Sequence, residues 1–243
     1  MRLNQSNIVY NRILNSDIEA TDYEVATYGG VAKKTLFYLL MVFLGAFGGI
    51  LLAGINANAY ASILGIACMT TFIFSLISFF SPRACKVTGS IYCLLEGVIV
   101  GFVSLVYGAA ANGAVMAALV STLMVFTVVA TLFVTNIVKV NSKFYKFLII
   151  FAVGFILSQL ALWLILTVTG QQYGFGLTIG ISAITVFLAT LYLFFDLEHI
   201  RQIVEGGYPK SYEWYTSFGL VFTLVWLYVE ILRIVAIVFN NRN

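Results

Sequence analysis

TVFLATLYLFFDLEHIRQIVEGGYPKSYEWYTSFGLVFTLVWLYVEILRIVAIVF, from Thr185 to Phe239, is the stretch that decides how the chain is built. It consists of two long apolar runs joined by a short polar connector. Each run carries a carboxylate: Asp196 near the end of the first, and Glu230 in the middle of the second with Arg233 one turn further on. Ionisable groups at such positions cost several kcal/mol if they face lipid, so they face a protein interior or a water-filled cavity.

The rest of the chain has the same character. Of 243 residues, 61% are hydrophobic and 9% charged, and the mean hydropathy is +1.00. These values lie far outside those of soluble domains. The apolar runs are continuous rather than alternating, which predicts spanning helices instead of barrel strands. Seven runs are near the length a spanning helix needs: Thr35 to Ile55, Tyr60 to Phe80, Gly89 to Tyr107, Gly113 to Val134, Phe147 to Thr169, Phe175 to Ile200 and Ser217 to Phe239. The predicted fold class is therefore an all-α integral membrane protein, with a seven-helix transmembrane domain over residues 35–243. Residues 1–34 form a polar segment outside the bilayer, in which Asp17, Glu19, Asp22 and Glu24 precede Lys33 and Lys34. No cleavable signal peptide is expected, because this opening is polar and carries both signs of charge.

Connectors alternate in charge. Those after the first, third and fifth runs (NANA, GAAANG, TGQQYG) are uncharged, whereas those after the second, fourth and sixth hold Arg83, Lys86, Lys139, Lys143, Lys146, Arg201 and Lys210. With Arg2, Arg12, Lys33 and Lys34, eleven of the thirteen basic residues fall on one side. Positive charge is retained in the cytoplasm during insertion, so the N-terminus is expected inside and the C-terminus outside. Pro82 and Pro209 both fall in connectors, leaving no span visibly broken. Three glycine pairs four residues apart, Gly45 and Gly49, Gly97 and Gly101, and Gly176 and Gly180, are expected to let helix backbones approach closely. Cys68, Cys85 and Cys93 lack metal-ligand spacing and read as small hydrophobes.

A third acid, Glu96, lies about 10 Å into its span from the basic side, and Glu230 lies roughly 20 Å into its own. Together with Arg233 the intramembrane set has three potential negative charges and one positive, a balance suited to taking up a proton or a cation. A plainer reading exists for each. Glu230 and Arg233, three apart, can be an internal ion pair; Asp196 can belong with Glu198, His199 and Arg201 on a solvated helix end; Glu96, when neutral, can hydrogen-bond a neighbouring helix.

LYLFFDLEHI, LVWLYVEILRIVAIV and IYCLLEGVIVGFVS around Glu96 resemble the Bax inhibitor (transmembrane Bax inhibitor motif) family, in particular its bacterial YccA-like branch. SNIVYNRI and TYGGVAKKTLFYLL near the start resemble the same branch, so the likeness covers nearly the whole chain. The resemblance implies seven spans with the last enclosed by the other six, and a pH-sensitive calcium or other cation leak in the bacterial inner membrane. It also implies an aspartate on the sixth span sharing a proton with one on the seventh, and an arginine latch on the second. Asp196 matches the sixth-span aspartate. Aligned through ILRI, however, Thr223 occupies the seventh-span acid position, and Glu230 lies seven residues later on the same helix face, about 10 Å deeper. The second span has no internal arginine, and Arg83 just beyond it is the nearest candidate for the latch.

Two functions follow. The first is a proton-regulated calcium or cation leak, with Asp196, Glu230 and Glu96 as its carboxylates and the bilayer, protons and a cation such as calcium as its partners. The second is a membrane interaction protein that regulates a membrane protease or stress response through its N-terminal segment. An enzyme is not expected, since His199 is the sole histidine and cannot build a metal triad. No cofactor other than bound calcium and no nucleic-acid partner is expected.

Overall fold

The computed structural model describes residues 24–53, 57–170 and 174–240. The stretch 1–23 with Asp17, Glu19 and Asp22, the Ile55 end of the first run, and Arg242 lie outside the described residues. Seven helices follow in order: α1 Tyr28–Leu52, α2 Ala57–Phe80, α3 Cys85–Ala110, α4 Ala114–Val134, α5 Ser142–Thr169, α6 Phe175–Glu205 and α7 Tyr212–Asn240. All seven contain stretches long and apolar enough to cross a membrane.

Local chemistry sets the helix ends. Thr27 caps α1, its hydroxyl accepting from the Gly30 N–H at 3.0 Å. For this reason α1 starts at Tyr28, seven residues before the apolar run, and Lys33 and Lys34 lie on helix rather than in a polar lead. Asn141 caps α5 by accepting from the Lys143 and Phe144 N–H groups, both at 3.0 Å. The α5 helix stops at Gly170, whose φ of 66° suits a residue without a Cβ.

At the centre of the bundle is α7. Half of its most apolar stretch is buried, against at most a third in any other helix. It packs against α1, α2, α3, α4 and α6, while α5 lies outside, against α6. The expectation of six enclosing helices is thus refined to five. Lipid is as apolar as the core, so hydropathy alone does not distinguish an inner helix from an outer one. Large apolar side chains such as Phe43 and Phe47 on α1, Met69 and Phe72 on α2, and Ile150 and Val168 on α5 are exposed, as a lipid-facing perimeter requires.

Glycine brings α1 against α3. Gly97 Cα lies 3.0 Å from the point a Cβ on Gly45 would occupy, and a Cβ on Gly97 or Gly101 would collide with the backbone of α1 at Val42 or Ala46. Gly176 and Gly180, by contrast, have nothing within 4 Å of such a Cβ, so the third glycine pair mediates no close helix contact among the described residues.

Candidate functional site

Asp196 sits on α6 about two turns before its end, 8% exposed, and faces α7. Gly219 of α7 stands across from it: a Cβ there would be in ordinary contact, 3.5 Å from Asp196 Oδ1. One helical turn on, Thr223 is a polar neighbour of the same carboxyl. Asp196 Oδ2 is buried with no hydrogen-bond partner. Among the described residues no cation pairs with Asp196. The solvated-end reading of Asp196 therefore does not hold. Its neighbour Glu198 is held separately, in an ion pair with Arg201 and accepting from Gln202 Nε2 at 3.0 Å.

Glu230 is 7% exposed and lies two turns further along α7 than Thr223, about 10 Å away along the axis. Its Oε2 is 3.2 Å from Arg233 Nη1. The approach is close but off the hydrogen-bonding direction, leaving that oxygen in an ion contact without a formed hydrogen bond. The structure thus brings Asp196 to Thr223 and Glu230 to Arg233, and does not join the two carboxylates.

Glu96 is half-buried on α3, one turn past Tyr92, whose ring packs on Phe218 and Phe222 of α7 at 5.2 and 5.8 Å. Further along, Ser104 and Tyr228 share a hydrogen bond of 2.8 Å, so α3 and α7 run side by side and Glu96 lies near the level of Thr223. Glu96 and Asp196 therefore lie near one level of the central helix, on α3 and α6 respectively. Arg83 is exposed in the turn between α2 and α3, and among the described residues it has no ion-pair partner. Among the described residues no ion pair joins it to Asp196. Among the described residues no three His, Cys, Asp or Glu side chains gather into a metal-binding group.

The sequence reading missed Glu213, which is fully buried at the start of α7. It pairs with Lys34 of α1 and accepts from the Thr27 N–H at 2.8 Å and the Thr27 hydroxyl at 3.2 Å. Gly30 makes the space, since any Cβ there would collide with the Glu213 carboxylate. Around this pair the chain before α1 is stitched to the α6–α7 connector: Ala26 N–H donates to Tyr208 O and Lys210 N–H to Glu24 O, both at 2.8 Å. Ser217 Oγ donates to Val31 O at 2.9 Å. Lys210 also pairs with Glu24, which holds the lysine pKa above its ordinary value. A lysine in a polar opening and a glutamate in a polar connector give no sign in sequence that they will be buried together.

The profile of the family described as Bax inhibitor 1 like matches residues 6–240. No curated protein matches the chain.

Proposed function

Since the chain belongs to the Bax inhibitor 1-like family, we propose that it is a proton-regulated cation leak of the YccA-like branch, passing calcium across a bacterial inner membrane. The observation that carries the reading is Asp196, a carboxyl buried against the central helix with one oxygen unpartnered and, among the described residues, no cation paired with it. A carboxylate cannot stay charged and unpaired in such a place without great cost. It holds a proton, or it takes a cation in the proton's place. Exchange between those two states at Asp196 is the gate, and Thr223 is the neutral residue across from it. Glu96 supplies a second carboxylate near the same level, while Glu230 is held by Arg233 and stands apart. The N-terminus lies in the cytoplasm and the C-terminus outside, as the clustering of basic residues at one end supports.

The test is calcium release from liposomes containing the purified full-length chain, followed across a pH series. Flux that varies with pH and exceeds that of protein-free liposomes is expected. Flux no greater than the empty-liposome leak at every pH would remove the transport reading.

A further inference from the structure

At the basic end, a cleft of about 390 Å³ opens between the α2–α3 turn and the start of α7, lined by Lys34, Pro82, Arg83, Lys86, Lys210, Ser211 and Trp214. Four cations therefore border one hollow. Two are neutralised locally, Lys34 by Glu213 and Lys210 by Glu24. Arg83 and Lys86 are exposed, and among the described residues neither has an acidic partner. Trp214 carries the ammonium groups of Lys34 and Lys86 over its ring, at 5.2 and 5.6 Å from the centroid. The α3 helix begins between Arg83 and Lys86, and Ala84 before it offers no capping side chain. The positive end of that helix adds to the field of the two free cations. Phe80, two residues before Pro82, and Val87, next to Lys86, are apolar and exposed, at 84% and 63%.

We infer that this cleft binds the phosphate of an anionic phospholipid headgroup, with Arg83 and Lys86 as the charges that hold it and Trp214 as its floor. The guanidinium fork suits phosphate oxygens, and the positive end of α3 adds to their attraction. Acyl chains leaving the headgroup would run along Phe80 and Val87. Basic hollows between helix ends at a membrane surface recognise lipid phosphate by this combination of charge and adjacent apolar surface.

Thermal unfolding of the delipidated full-length chain in neutral detergent tests the inference, with phosphatidylglycerol, phosphatidylcholine and soluble glycerol phosphate each titrated in. Phosphatidylglycerol should give a saturable rise in melting temperature and phosphatidylcholine none. In Arg83→Gln/Lys86→Gln the apparent affinity for phosphatidylglycerol should fall about tenfold or more, as expected for two lost surface cations. Ser211→Glu, which adds a negative charge at the exposed lip, should do the same and serves if the double variant does not fold. Lys143→Gln/Lys146→Gln removes the same charge from the same end outside the cleft and should keep the response. An equal response to glycerol phosphate, lost in the same variants, supports a phosphate site served from solution. No response to phosphatidylglycerol, or an equal loss in the Lys143 and Lys146 variant, overturns it.

Discussion

Asp196 and Glu230 are both carboxylates in apolar helices, and their surroundings give them different chemistry. Glu230 has Arg233 one turn away at 3.2 Å, whereas Asp196 has Gly219 and Thr223 across from it and a bare Oδ2. A single titrating unit is therefore not expected. Glu230→Gln should leave the pH profile of flux in place, and its effect on flux amplitude should add to that of Asp196→Asn, because sites without contact are additive. Non-additivity in that double variant would show that the two acids communicate after all. Removing the cation tests the other pair: Arg233→Leu leaves a buried charge without its partner and should cost about 1–2 kcal/mol, since Arg233 is itself partly exposed. Thermal unfolding should show Glu230→Gln/Arg233→Leu recovering most of that loss. Asp196 was legible in sequence because an aspartate inside an apolar run is conspicuous, and Thr223 because ILRI fixes the register. That no cation among the described residues pairs with Asp196 was not legible, since it depends on what the neighbouring helices present to it.

Among the elements, α1 makes two contacts that substitution can test, one with α3 at mid-helix and one with the start of α7 at the basic end. The α1–α3 seam depends on glycine, so Gly97→Ala should destabilise by about 1–3 kcal/mol through collision with the Val42 carbonyl. Gly176→Ala and Gly180→Ala, placed in open space, should leave unfolding unchanged or raise stability by up to about 1 kcal/mol. Sequence spacing was identical for all three pairs, and spacing does not say whether a neighbour is present. The other contact is the stitched segment before α1. Lys34→Met strands the fully buried Glu213 carboxylate and should cost about 3 kcal/mol. Adding Glu213→Gln should restore part of it in the same unfolding assay. Full additivity of the two losses would mean that the pair contributes nothing as a pair. The partners lie 179 residues apart in polar surroundings, where an exposed and a buried charge look alike in sequence.

For the whole molecule, the seven helices and the single basic end were legible from hydropathy and charge. Both follow from the solvent, since a bilayer demands long apolar runs and cells retain positive loops in the cytoplasm. The central place of α7 came from the family resemblance, and the outer position of α5 from packing alone. A C-terminal reporter active only in the cytoplasm should be silent on this chain, and strong activity would contradict the orientation. Gating by proton and cation exchange belongs, in the proposed function, to one carboxyl, that of Asp196. Its most direct measurement is calcium flux through liposomes containing either the natural chain or Asp196→Asn, over the same pH series and at matched protein content. The account predicts that the natural chain changes its flux with pH and that Asp196→Asn gives one flux at every pH. A variant that is folded and keeps the natural pH dependence would contradict it.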